Sequence, residues 1–74
     1  YATKLRAEDL PLLLRDSKLA PDNSELQYQC GMALYLAGRG EEGLRYLQRA
    51  VELQPESQRY EIGLRMLRER LDSL

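Results

Sequence analysis

Residues 24–55 read SELQYQCGMALYLAGRGEEGLRYLQRAVELQP, and the fold turns on them. They describe two short amphipathic helices joined by a tight turn at Gly38-Arg39-Gly40. The end of the stretch is echoed upstream: Leu19-Ala20-Pro21-Asp22-Asn23 and Leu53-Gln54-Pro55-Glu56-Ser57 share a Leu-x-Pro-acid-cap pattern, with the two prolines 34 residues apart. The pairs Leu13/Leu47 and Arg15/Arg49 fall on the same offset. A fixed period of this size marks a repeat architecture, in which each unit is one helical hairpin whose apolar face needs a neighbour to cover it.

On these residues the chain resembles the tetratricopeptide repeat family, whose signature runs W-x2-L-G-x2-Y, then A-x3-F, then Pro. The slots hold Gln27, Cys30, Gly31 and Leu34 in the first helix, Gly43, Leu47 and Ala50 in the second, and then Pro55. Gly31, Ala50 and Pro55 match the family preference, and Leu34 and Leu47 are apolar replacements. Gln27 stands for the Trp, Cys30 for the Leu and Gly43 for a small Ala. The resemblance implies an all-α fold of antiparallel helix hairpins with about four helices. Residues 1–23 supply the second half of a preceding repeat, 24–57 a full repeat and 58–74 a C-terminal capping helix.

Composition agrees. Seventy-four residues make one small domain, and the chain reads as an excerpt of a longer protein. Its apolar residues are mostly Leu, Ala and Tyr, which favour helices over strands. The formal net charge is −1 with both signs interspersed, which argues against a polyanion-binding surface. One Cys allows no internal disulfide, and no apolar run approaches the ~18 residues needed to span a membrane. The compartment stays open, with the cytoplasm favoured.

Taken in order, residues 1–8 are ambiguous, with 3–8 reading as the end of an earlier helix or an extension of the first. Pro11 fits only the first turn, so the first helix is expected at about residues 10–19, capped by Asp9, with Leu10, Leu13, Leu14 and Leu19 on one broad face. Asp22-Asn23-Ser24 offers three caps, and Ser24 with Gln27 reads as a capping box. The helix over about residues 24–37 is apolar on both sides: Leu26, Cys30, Ala33, Leu34 and Ala37 on one, Tyr28, Met32, Tyr35 and Leu36 on the other. Cys30 is expected to face the helix that follows.

Gly38 terminates that helix, and the next, about residues 41–53, buries Leu44, Leu47, Ala50 and Val51 and carries a Glu41–Arg45 pair. Ser57 caps the last helix, running to about residue 72, whose Tyr60, Leu64, Leu67, Leu71 and Leu74 form one stripe.

Catalytic chemistry finds no constellation. The absence of His removes His-based acid–base catalysis and nucleophile activation, and Cys30 reads as a small buried hydrophobe. Gly38, Gly40 and Gly43 follow no strand and precede no Lys-Ser/Thr, so they form no phosphate loop. No enzyme, cofactor, metal or nucleic-acid role is expected. In the last helix Arg59 and Arg70 share one azimuth, while Arg65 and Arg68 lie opposite among acids.

The resemblance implies that the concave surface is lined by the first helix of each hairpin. Those slots are Glu25, Tyr28, Gln29, Met32 and Tyr35, continued by Arg59, Ile62 and Met66. Tyr and Met make an adaptable amphipathic surface of the kind enriched at interfaces. Some family members clamp the C-terminal carboxylate of chaperones with Lys, Asn and Arg in these slots; only Arg59 qualifies here, which argues against that ligand class. The expectation is a non-catalytic module binding a protein or peptide segment. The alternative is a structural spacer or a self-association element that closes the Tyr/Met face with another copy as a homo-oligomer.

Overall fold

A computed structural model of the chain describes residues 7–73, and all of its regular elements are helical. A single 3-10 turn, Ala7–Asp9, leads into α1 (Leu10–Leu19), α2 (Ser24–Leu36), α3 (Gly40–Leu53) and α4 (Gln58–Asp72). Residues 1–6 of the ambiguous N-terminal stretch lie outside the described residues, as does Leu74 of the last helix's stripe.

The helix ends follow from local chemistry. Pro11 sits in the first turn of α1, where its missing N–H costs nothing, although Asp9 makes no side-chain cap. Asn23, rather than Ser24, caps α2: its side chain accepts from the Leu26 amide at 3.1 Å. Ser24 is already helical, and its hydroxyl donates to Gln54 Oε1 at 2.7 Å, tying the start of α2 to the end of α3. The expected capping box is absent because Gln27 turns the other way. It is only 4% exposed, and its amide donates to the Ser17 and Ala20 carbonyls at 3.4 and 3.5 Å, covering the C-terminal end of α1.

Gly38 takes φ +83°, which lets the Arg39 amide reach Leu34 O at 2.8 Å and its own amide reach Tyr35 O at 3.1 Å. This double closure satisfies two carbonyls at the end of α2, and a Cβ at Gly38 would strain it.

The two Pro-containing connections have nearly the same backbone. Ala20 ends α1 at φ −132°, ψ 67°, and Gln54, 34 residues later, ends α3 at φ −138°, ψ 76°. Their amides each bond the carbonyl four residues back at 3.0 Å. Asn23 and Ser57, again 34 apart, are both extended caps that accept from the amide three residues on.

Contacts between successive helices run in opposite chain directions. Along α2 and α3, Ser24 meets Gln54, Gly31 meets Leu47 and Tyr35 approaches Gly40. α1 returns along α2 in the same sense, with Gln27 against Ser17 and Cys30 against Leu13. The tightest approach is between Gly31 and Gly43. A Cβ at Gly43 would fall 2.5 Å from Gly31 O, and one at Gly31 would fall 2.7 Å from Leu47 Cγ.

The core joins Leu10 and Leu13 of α1 to Cys30, Ala33 and Leu34 of α2, while Leu47 and Ala50 of α3 and Tyr60 and Leu67 of α4 are buried alongside. Cys30 faces α1, not α3: its thiol donates to Leu13 O at 3.1 Å. The 100° stepping of the helix places Cys30 between the two neighbours, and the Gly31–Gly43 approach fills the α3 side with backbone.

Leu19, expected on the packed face of α1, is 78% exposed because the chain turns away at Ala20, and Leu36, expected on the second face of α2, is exposed in its last turn. The Glu41–Arg45 pair is not formed; Arg39 instead holds Glu42 at 2.7 Å, and Arg49 reaches Asp22 at 3.6 Å.

Because the Gly43 site leaves no room beside a backbone carbonyl, Gly43→Ala should lower stability by about 1–3 kcal/mol. Helix propensity alone favours alanine by about 1 kcal/mol, so the sign isolates the contact. A thermal melt of Gly43→Ala at or above the wild-type Tm would show that the two helices do not meet here.

Candidate functional site

The face of α2 turned away from α3 opens toward α4. It forms one wall of a groove of about 520 Å³ with α4 as the other. Tyr28, Met32 and Tyr35 line one side, spaced four and three residues apart on α2. Arg59, Ile62, Met66 and Arg70 line the other, spaced so that they share one stripe of α4. Leu67 and Gly63 form the floor between them. Ile62 and Met66 are 51% and 49% exposed, so the groove is apolar and open to solvent.

Gly63 sets the width at one end. A Cβ there would lie 2.9 Å from Tyr28 Cε1, so the ring packs directly on the α4 backbone. Tyr28 also stacks at a tilt on Tyr60, with centroids 5.1 Å apart, and the Arg59 guanidinium covers its outer face at 4.5 Å. At the far end Arg70 donates to Tyr35 Oη at 2.8 Å and lies 5.7 Å from that ring's centroid. Each end is thus a tyrosine with an arginine against its ring, a geometry that the negative ring face favours.

Glu25 closes the first end. It accepts from Arg59 at 2.6 Å, from Tyr60 Oη at 2.9 Å and from Gln29 Nε2 at 3.2 Å. Burial alone would raise its carboxyl, but these hydrogen bonds and the Arg59 charge outweigh it and hold the group below the usual carboxylate range. The same carboxylate raises Arg59. Burial, with Glu25 reinforcing it, raises the Tyr60 phenol.

Six of the eight expected surface residues therefore meet in one groove: Tyr28, Met32, Tyr35, Arg59, Ile62 and Met66. Glu25 and Gln29 adjoin it through the Arg59 network rather than lining it. Leu36, expected on the same face of α2, is not part of the groove. Sequence reasoning left out Gly63, Leu67 and Arg70. A glycine inside a helix, costing about 1 kcal/mol against alanine, was the available signal for Gly63. The shared azimuth of Arg59 and Arg70 was the signal for Arg70.

Cys30 is buried, and its burial pushes the thiol above its ordinary range, the setting of an inert cysteine. Among the described residues no three His, Cys, Asp or Glu side chains gather as a metal site, and no helix is long and apolar enough to cross a membrane. No family model matches the chain, and no curated protein or solved structure aligns with it significantly.

The lowered Glu25 carboxyl fixes the sign of a pH effect. Its stabilising contribution is present above the unfolded carboxylate value of about 4.3 and fades as pH falls through the lower folded value. At 39% exposure the side chain is screened by solvent, so the effect is small. In an acid series of thermal melts, Glu25→Gln should lose less stability than wild type across that window. Superimposable curves would mean that the Glu25 bridge contributes nothing.

Proposed function

We propose that this chain is a non-catalytic, tetratricopeptide-like module that binds a segment of another protein in the groove between α2 and α4. The observation carrying this reading is that α2 has two apolar faces. One is sealed by α1 and α3, and the other opens into a groove whose Ile62 and Met66 remain about half exposed. Apolar anchors flanked by polar ends are the usual makings of a docking surface.

The repeat reading is supported by the two Pro connections, which reproduce one backbone path at the 34-residue offset. It is also supported by the outer face of α4. Gln27, Gly31 and Leu34, which pack on α1 and α3, have Glu61, Arg65 and Arg68 as their counterparts 34 residues on. Those three are exposed, and Arg65 pairs with Glu61 at 3.2 Å, as suits a helix that ends an array.

Two sets of variants test the proposal. Peptides selected from a displayed random library against the immobilised chain should lose about 2 kcal/mol of binding to Ile62→Ser with Met66→Ser, with helicity and Tm little changed. Arg65→Ala with Arg68→Ala, on the outer face, should bind as wild type does. Selected peptides that ignore the Ile62/Met66 change but fail on the outer-face variant would place binding elsewhere. Sedimentation that shows dimers sensitive to the Ile62/Met66 change would favour the self-association reading instead.

A further inference from the structure

Resting on the groove reading above, we infer that the segment it takes is an amphipathic helix running antiparallel to α2 and α4. This helix carries an acidic side chain in its first turn, set against Arg70.

The charges at the two ends of the groove differ. Arg59 is already compensated by Glu25 at 2.6 Å. Arg70 has only the neutral Tyr35 hydroxyl at 2.8 Å, and among the described residues no carboxylate pairs with it. The guanidinium carries five N–H donors in a planar fork, so most remain to receive a carboxylate from outside. The side-chain charges balance at one end and leave one positive charge unpaired at the other.

The direction follows from the helices themselves. Glu25 and Tyr28 sit beside Arg59, and Tyr35 sits beside Arg70, so α2 and α4 run the same way. Tyr35 lies in the last turn of α2 and Arg70 in the last turn of α4. Two C-terminal ends, each with partial negative charge, therefore meet at the Arg70 end. A third helix placed antiparallel brings its positive N-terminal end there. An acid in that first turn gains from its own helix dipole and from Arg70, whose full charge at hydrogen-bond range outweighs the partial charges of the two C-terminal ends.

The dimensions suit a helix. Arg59 and Arg70 are eleven residues apart on α4, about 16 Å or three turns, enough for apolar anchors at i, i+4 and i+7 against Met32, Ile62 and Met66. A second copy offers Arg70 no unpaired acid: laying α4 on α4 antiparallel brings it the Arg59–Glu25 pair, already balanced, and parallel packing sets each arginine against its own image.

The probe is a set of N-acetylated, C-amidated peptides of about three turns with leucine at i, i+4 and i+7. They carry Glu, Gln or Lys in the first turn, and a fourth carries the Glu in the last turn. Fluorescence anisotropy should show the first-turn Glu peptide binding about three- to fivefold tighter than its Gln counterpart, with Lys weaker still. Moving the Glu to the last turn should remove the gain, and Arg70→Gln should narrow the spread among the peptides to the small part owed to their own helix dipoles. Equal binding of the Glu, Gln and Lys peptides, or a spread undiminished by Arg70→Gln, overturns the inference while leaving the groove as a docking site. If none of the four binds, or if all bind equally to Ile62→Ser with Met66→Ser, the groove reading falls as well.

Discussion

The approach of α2 and α3 at Gly31 and Gly43 is the constraint on which the rest of the structure depends. With no Cβ on either residue, backbone meets backbone, and a methyl on Gly43 would be 2.5 Å from the Gly31 carbonyl oxygen. That proximity brings Leu47 down onto α2 and leaves both it and Leu34 without solvent contact. It also uses up one side of α2. The remaining circumference is divided between α1, which takes Cys30 and Ala33 against Leu10 and Leu13, and the groove toward α4. A bulkier residue at either glycine would push α3 outward, and α4, which packs on α3, would go with it.

α4 is seated by a second device of the same kind. Gly63 lets the Tyr28 ring lie on the α4 backbone, and Gly40 admits Leu71 at 2.8 Å from where its Cβ would be. Tyrosine–arginine contacts then fix the two rims. The polar groups at the Glu25 end are matched to one another, so that end is satisfied without a ligand; the Arg70 end is not. This asymmetry gives an otherwise apolar surface a direction.

Most of the helical architecture was legible in the sequence because it is written in local chemistry. Pro11, Pro21 and Pro55 mark helix starts and stops, Gly38 marks the left-handed turn, and Ser57 caps α4 as its position suggests. The groove residues were legible because two spacings, four and three, place Tyr28, Met32 and Tyr35 on one line. What failed depended on choices between near-equal partners in three dimensions. Asn23 and Ser24 are both good caps, and only the pull of Gln54 on the Ser24 hydroxyl separates them. Cys30 lies between α1 and α3, and Leu19 and Leu36 are apolar residues at helix ends where no neighbour arrives. Gly63 and Arg70 matter only through Tyr28 and Tyr35, tertiary neighbours that no local pattern names.

The central claim is that one face of α2 is sealed and the other is open. Side-chain NMR with a soluble paramagnetic gadolinium chelate tests it without any ligand. The account predicts strong broadening of the Ile62 and Met66 methyl signals, weaker broadening at Met32, and sharp signals from Leu13, Leu34 and Leu47, independent of protein concentration. Ile62 and Met66 protected to the same degree as Leu34 would contradict it, because the groove would then already be filled.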